Sequence, residues 1–298
     1  MQKRSASLIS LTSAMLVFGT IGIFRKFIDL PSSMLAMARG LIGMLFLLAV
    51  LLFKKQKPDR EAILRNAPLL LISGTCIGFN WILLFEAYRY TTIATATLCY
   101  YMAPIIVILL APILFKERMT LKKAICVLSS LCGITLVSGI LDGGNVAASN
   151  TTGILLGLGA AALYASVILM NKKIKDIGAL DKTVVQLGSA GIVMIPYLLL
   201  TEDVAAIRYD TTSVIFLFIV AIVHTGIAYT LYFGSIGQLP AQTVAIFSYI
   251  DPVVAILLSS IIFKEKMGIT GIIGAILILG TALIEELPIG RKFAKKEK

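Results

Sequence analysis

The sequence predicts an all-α integral membrane protein with ten transmembrane helices, arranged as two inverted repeats of five. Three observations lead to this prediction. The composition is 58% apolar and 14% charged, with a mean hydropathy of +0.94, which lies outside the range of soluble globular domains. Apolar runs of about 20 residues, the length of a helix that crosses a hydrocarbon core of roughly 30 Å, recur along the chain. Residues of the first half also recur 148 positions later in the second half.

The predicted helices follow the apolar runs in chain order. They cover residues 6–24, 31–53, 66–85, 91–114, 121–140, 152–170, 182–200, 211–233, 239–262 and 268–287. We predict a first five-helix repeat at 1–140, an outer linker at 141–151, and a second five-helix repeat with a basic C-terminal tail at 152–298. The linker is polar and contains no lysine or arginine, which suits a boundary between repeats. The segment Lys54 to Asn66 is predicted as an inner loop with charges suited to an amphipathic segment.

The duplication is clearest in two apolar runs that each contain a proline near the middle. Tyr101 and Pro104 reappear as Tyr249 and Pro252. Because five crossings are an odd number, the second repeat must enter the membrane upside down relative to the first, as in many secondary transporters. The same offset relates these further pairs: Phe115 and Phe263, Lys116 and Lys264, Glu117 and Glu265, Met119 and Met267, Gly40 and Gly188, Gly43 and Gly191.

The net charge of +11 follows from orientation rather than from a nucleic-acid partner. With the N-terminus inside, 20 of the 27 lysines and arginines lie in predicted inner segments, six lie in outer segments, and Arg39 lies within a span. The positive-inside rule then predicts a multi-pass protein of the cytoplasmic (inner) membrane with both termini in the cytoplasm.

The chain lacks the residue patterns of common enzymes and cofactor sites. His224 is the one histidine, so a histidine-based metal site or catalytic triad lacks partners. The phosphate-loop pattern GxxxxGK[ST] is absent, and the four cysteines have spacings of neither a metal site nor a redox pair. The sequence therefore predicts no enzyme activity, no cofactor and no metal site.

Two ionisable residues lie well inside predicted spans, Arg39 in the second and Asp251 in the ninth. Such residues are costly in a membrane and usually face the bundle interior or a wet cavity. At ~1.5 Å per residue, Arg39 lies about 12 Å below the outer end of its helix and Asp251 about 16 Å above the inner end of its own, so their depths nearly coincide. Three arrangements are open: an Arg39–Asp251 ion pair, Arg39 bound to backbone carbonyls as a structural charge, or Asp251 facing a solute.

Proline positions and helical spacing add further candidates around Asp251. Pro252 leaves the carbonyl of Ser248 without its helical donor and free to face a cavity or ligand, and Pro104 and Pro252 are predicted hinges. The alternative for each aromatic residue is a lipid-facing or interfacial position, and for His224 a contact between helices. The predicted solute-binding residues are Asp251, Tyr101, Trp81, Tyr249, Ser248, Asn80, Tyr88, His224 and Tyr232.

Each half also carries short motifs around its proline and at the end of the same run. The motifs are Ala87-x-x-Tyr90-Thr91-Thr92, Tyr101-x-x-Pro104 and Glu117-Arg118-Met119-Thr120 in the first half, and Ser248-Tyr249-x-x-Pro252 and Glu265-Lys266-Met267-Gly268 in the second. Together, over nearly the whole chain, they resemble the EamA-like family of the drug/metabolite transporter superfamily. Arg39 matches an arginine frequent in the second helix of that family, which favours an architectural role. Lys116 and Lys264 stand where the family commonly has glycine, and Asp251 is an added carboxylate.

The resemblance implies a secondary active transporter that moves a small organic metabolite, an amino acid or an amine, by alternating access. It implies export without a bound cofactor, and Asp251 adds the expectation of proton coupling. The expected partners are a small-molecule solute, membrane lipid and protons, and the protein is expected to be a monomer or a homodimer. The alternative from another class is a non-transporting membrane scaffold or channel, in which Asp251 only holds helices together. A membrane enzyme is a more distant alternative.

Overall fold

The computed structural model describes residues 2–116, 119–138, 148–236, 238–239 and 241–286, and within these ranges the regular structure is entirely helical. The helices of the first half are α1 (Gln2–Gly19), α2 (Ile21–Lys26), α3 (Ser32–Phe53), α4 (Arg60–Tyr90), α5 (Ile93–Tyr100), α6 (Ala103–Phe115) and α7 (Leu121–Val137). Those of the second half are α8 (Ala148–Lys173), α9 (Ala179–Thr201), α10 (Thr211–Ile219), a π-helix (Val220–Ile227), α11 (Ala228–Ile236), α12 (Ala241–Ser248), α13 (Ile250–Ile262) and α14 (Ile269–Glu286).

Seven helical segments of the described chain are long and apolar enough to cross a membrane. They are Ser5–Lys26, Ser32–Phe53, Arg60–Tyr90, Ile93–Phe115, Asn150–Lys173, Ala179–Thr201 and Thr211–Ser235. Two shorter apolar helical segments follow, Ile246–Ile262 and Ile269–Ile284. Within the described residues each of the ten predicted spans overlaps helix, the fifth of them through α7, and the prediction of an all-helical membrane protein is confirmed. The count of ten crossings in two inverted repeats stays a prediction.

The largest difference from the predicted helices lies at the start of α4. This helix begins at Arg60, where the side chain of Asp59 accepts a hydrogen bond from the Ala62 amide at 3.0 Å, so residues 60–66 are helical rather than loop. Its 31 residues extend for about 46 Å, well beyond a core of roughly 30 Å. Of the predicted linker, residues 141–147 lie outside the described part of the chain, as does the basic tail from residue 287.

The two proline-bearing runs are each interrupted just before the proline. The first breaks at Tyr101 and Met102, between α5 and α6, and the second breaks at Tyr249, between α12 and α13. A proline has no amide hydrogen and its ring crowds the preceding turn, so a helix is weakest immediately ahead of it. The two breaks stand at positions related by the 148-residue offset, which gives the sequence repeat a structural counterpart.

The two halves pack against each other through glycines that allow their backbones to touch. In the contact between α3 and α9, a β-carbon built on Gly40 would lie 2.4 Å from the amide nitrogen of Gly191. In the contact between α7 and α14, a β-carbon on Gly274 would lie 2.5 Å from the carbonyl oxygen of Gly133. Small residues at crossing points are the usual means of close helix packing in membranes. No larger side chain fits at these positions unless the helices separate.

Each of the two proline-bearing runs is followed by a residue with a left-handed backbone conformation, Lys116 after α6 and Lys264 after α13. Lys116 and Lys264 both have φ of 54°, a conformation that costs an L-residue roughly 1–2 kcal/mol relative to right-handed helix. Glycine adopts it without that cost, which explains physically why glycine suits this position in the family that the motifs resemble.

Candidate solute site

Arg39 is enclosed among side chains of three helical segments, with 4% of its surface exposed. Its Nε donates a hydrogen bond to Oγ1 of Thr225 at 3.0 Å. The guanidinium carbon lies 4.0 Å from the ring centroid of Trp81 and 5.3 Å from that of Phe85. Aromatic faces attract a desolvated cation by roughly 2 kcal/mol each. Arg39 therefore joins α3 to α4 and to the π-helix, through a hydroxyl and two rings rather than through a carboxylate or backbone carbonyls.

The π-helix positions the hydroxyl that Arg39 contacts. Over Val220–Ile227 the helix widens, and Oγ1 of Thr225 lies 3.4 Å from the carbonyl oxygen of Val220, five residues earlier. π-helical turns inside α-helices are rare and occur frequently at functional sites. The sequence shows no proline here, and nothing in its spacing predicted the widening.

Asp251 lies half-buried in the first turn of α13, opposite the break between α5 and α6. The hydroxyl of Tyr101 donates a hydrogen bond to its Oδ2 at 3.0 Å. The ion pairs of the described chain are Arg65–Asp176 and Arg89–Glu86, so the Arg39–Asp251 pair that the sequence left open is not formed. Asp251 thus faces a neutral donor and retains capacity to accept further hydrogen bonds.

The two helix breaks meet at this point. Pro252 removes the helical donor for the carbonyl of Ser248, and that oxygen lies 3.4 Å from the hydroxyl of Tyr101. The rings of Tyr101 and Tyr249, the two residues at the breaks, have centroids 6.2 Å apart. The hydroxyl of Ser248 instead bonds the Val244 carbonyl of its own helix. The carbonyl that Pro252 frees, the carboxylate and the phenol therefore come together because the two helix breaks lie opposite each other.

Further tyrosines surround Asp251 and connect it with Arg39. Tyr88, Tyr100 and Tyr164 lie near enough to the carboxylate for its charge to act on their phenol groups. Tyr88 and Tyr100 interact with Arg39 as well, and so does Tyr229. The rings of Tyr100 and Tyr164 stack with centroids 5.3 Å apart. The site is thus a carboxylate with aromatic walls from α4, α5 and α8, while Tyr229 of α11 lies beside Arg39.

The other predicted site residues occupy packing positions, although their part in binding stays a prediction. Trp81 lies beneath Arg39. Asn80 is buried and donates to the Ala160 carbonyl of α8 at 2.6 Å. Tyr88, also buried, lies 3.4 Å from the hydroxyl of Thr97. His224 Nε2 lies 2.8 Å from the hydroxyl of Thr20. Tyr232 packs by its edge against Phe18 and Phe233.

Three tyrosines of the site, Tyr100, Tyr164 and Tyr229, were missed from the sequence. The repeat could have identified Tyr229, because the 148-residue offset pairs it with Trp81, which was predicted as a site residue. Both side chains interact with Arg39. Tyr164 lies in a span rich in glycine and alanine and carries no distinguishing pattern. Its role depends on α8 packing against α4, α5 and α6, which no local spacing reveals.

A sequence model described as the EamA-like transporter family matches residues 5–139 and 151–284. An uncharacterized transporter of Bacillus subtilis, YxxF, is 29% identical over 95% of this chain and 90% of its own. An uncharacterized transporter of Archaeoglobus fulgidus is 25% identical over 90% and 92%, and the protein RarD of Salmonella typhi 26% over 90% and 89%. One solved crystal structure, 18% identical, covers 97% of this chain and 99% of its own with a TM-score of 0.65, a likeness of fold.

We predict that Thr225→Val, which removes the hydroxyl acceptor from buried Arg39, lowers the free energy of unfolding by about 2 kcal/mol, because a charged donor is left unsatisfied. Thr230→Val is the matched control, since that hydroxyl bonds the Gly226 carbonyl of its own helix. It is expected to change the unfolding free energy by less than about 0.5 kcal/mol. Unfolding of the two purified variants in detergent micelles measures the difference. Equal losses would show that Thr225 does not hold Arg39.

Proposed function

Because the chain belongs to the EamA-like transporter family of the drug/metabolite transporter superfamily, we propose that it is a secondary transporter for a small organic solute with a cationic group, an amino acid or an amine. The observation that carries the proposal is Asp251, which accepts a hydrogen bond from Tyr101 and has no cationic partner among the described residues. The proposed mechanism is alternating access around this carboxylate.

The cost of burying a charge determines what Asp251 can face. An ionised carboxylate in the middle of a membrane is unfavourable by at least ~2.5 kcal/mol unless something compensates it. Arg39 is engaged by Thr225 and two rings, so compensation must come from a proton or from a cation that enters. The surrounding tyrosine faces would add roughly 0.5 to 2 kcal/mol of cation–π attraction for such a solute.

A proton and a cationic solute would compete for the same carboxylate. The transporter can then change between its inward-facing and outward-facing states with either the proton or the solute bound at Asp251. Movement of the solute in one direction is thereby coupled to movement of the proton in the other, without any further ion. Proton-coupled exchange is thus part of the proposal. The proposed direction is export, and it rests on the resemblance of the motifs to the family alone.

The proposed architecture is two inverted five-helix repeats in the cytoplasmic membrane, with both termini inside. Its support is the 148-residue offset, which relates the two helix breaks and the two left-handed lysines, Lys116 and Lys264. Inversion then requires that these two lysines lie on opposite sides of the membrane. The distribution of cations assigns Lys116 to the inner side.

We expect single cysteines at the two positions, in a variant that lacks the native cysteines, to react from opposite sides. A membrane-impermeant maleimide added to intact cells should label Lys264→Cys but not Lys116→Cys, and permeabilised cells should show both. The two sites form a matched pair because the residues share type, backbone conformation and place in the repeat. Labelling of both from the same side of intact cells would contradict inversion.

The function is tested by counterflow in proteoliposomes with a panel of amino acids, polyamines and quaternary amines. Asp251→Asn keeps the shape of the side chain and removes its charge. We expect it to weaken binding of the transported cation about 10- to 100-fold, the effect of losing a charged hydrogen bond. It should also abolish the pH dependence of transport, because protons and solute no longer compete.

Asp29→Asn is the control, since that residue is exposed and the charged group near it is Arg25. A saturable signal in the wild-type protein excludes the scaffold. A conductance without saturation or counterflow would instead support the channel. If Asp251→Asn transports normally with its pH dependence intact, the solute is recognised elsewhere and the proposal is wrong.

A further inference from the structure

A long apolar groove lies between α13 and α14 on the surface of the bundle, with a volume of about 370 Å³. Val253, Ile276 and Leu283 are among its lining residues, and Tyr249 lines it next to the helix break. A β-carbon built on Gly280 would meet no atom within 4 Å, so the groove is open at that point. Its walls offer almost no polar surface, which suits a hydrocarbon chain rather than a solute.

A polar cavity of about 420 Å³ adjoins the groove at the end of the same two helices, and residues of α5, α7 and α8 complete its wall. Ile256, Met267 and Ile272 line both spaces. The cavity adds two charged side chains, Glu265 and Lys266, together with hydroxyl groups. An apolar groove beside a charged cavity matches an amphipathic molecule with a hydrocarbon chain and a polar head.

The dimensions of the groove match one leaflet of a bilayer. From Ile272 to Leu283, eleven residues along α14, the distance is about 16 Å, close to half of a core of roughly 30 Å. The polar cavity lies at the end of the helices, near Gly268, where the chain leaves α13 for α14. Head and tail would thus lie at the depths that a membrane lipid gives them.

We propose that the groove and the cavity together bind one molecule of a zwitterionic phospholipid from the leaflet that contains the loop 263–268. The lipid phosphate faces the ammonium group of Lys266 and the first amides of α14 near Gly268 and Gly271, since a helix N-terminus favours an anion. The lipid ammonium faces the carboxylate of Glu265, which also accepts a hydrogen bond from the Ile93 amide at 3.0 Å. One cation and one anion match a zwitterionic head, whereas a purely anionic head leaves Glu265 opposed by negative charge.

The bound lipid would contact the solute site through a single side chain. Tyr249 lines the deep part of the groove, and its ring lies 6.2 Å from that of Tyr101, the hydrogen-bond donor to Asp251. An acyl chain in the groove therefore packs behind Tyr249 and restricts the position of Tyr101. The binding itself does not depend on transport, so it is measured without any solute.

The test is lipid binding by the purified, delipidated full-length protein in detergent, followed by native mass spectrometry and by thermal unfolding. Added phosphatidylethanolamine should bind at one molecule per chain and raise the unfolding temperature, because a ligand of the folded state stabilises it. Gly280→Leu fills the groove and should weaken binding about tenfold, the effect of roughly two lost methylene contacts. Gly234→Leu is the matched control, since a β-carbon there also meets no atom within 4 Å, but the residue lies on α11.

Variants that remove one positive charge test the headgroup contacts separately. Lys266→Gln should weaken binding about tenfold, whereas Lys264→Gln, two residues away and outside the cavity lining, should not. Lys266 is exposed, so Lys266→Gln keeps the proposal testable if Gly280→Leu prevents folding. Equal binding of phosphatidylglycerol would overturn the headgroup assignment. Equal binding by Gly280→Leu and Gly234→Leu, or equal effects of the two lysine variants, would overturn the site.

Discussion

The structure depends on how it accommodates a buried guanidinium. A cation in the interior of a membrane bundle requires hydrogen-bond acceptors or aromatic faces, and Arg39 finds both in Thr225, Trp81 and Phe85. These partners belong to α4 and to the π-helix, so the requirement of one side chain connects segments from both halves of the chain. The widened turn at Val220–Ile227 belongs to the same arrangement, because it contains the hydroxyl that receives Arg39.

A second constraint comes from the two prolines and acts in both halves. Pro104 and Pro252 each lie just after a break, and the breaks bring the rings of Tyr101 and Tyr249 together, with centroids 6.2 Å apart. The repeat is not symmetric in chemistry, however, since Ala103 stands at the position that corresponds to Asp251. The duplicated backbone thus supplies two helix breaks that lie opposite each other, and Asp251 gives the region between them a carboxylate.

The sequence predicted most of this architecture because membrane helices follow strong rules of length and composition. The 148-residue offset paired the two proline-bearing runs and placed a hinge in each, although each run was predicted as one helix and is found interrupted. Depth along the helices identified Arg39 and Asp251 as residues that need partners. The partners themselves were not predictable, because they depend on how helices rotate against each other. Trp81 was predicted as a wall of the solute site and lies beneath Arg39, while Tyr164 and the π-helix carried no local pattern. The start of α4 was missed because the charged residues after Lys57 suited a loop as well as a helix that extends beyond the membrane.

The central claim is that Arg39 and Asp251 are independent, so that the carboxylate is available to a solute or a proton. A double-mutant cycle of unfolding free energies with Arg39→Met and Asp251→Asn, measured in detergent micelles, tests it most directly. Because Tyr88 and Tyr100 lie near both residues, a small coupling is expected, and the two changes should add to within about 1 kcal/mol. An interaction energy of about 3 kcal/mol or more, with Arg39→Met restoring the stability that Asp251→Asn removes, would show a buried ion pair and contradict the account.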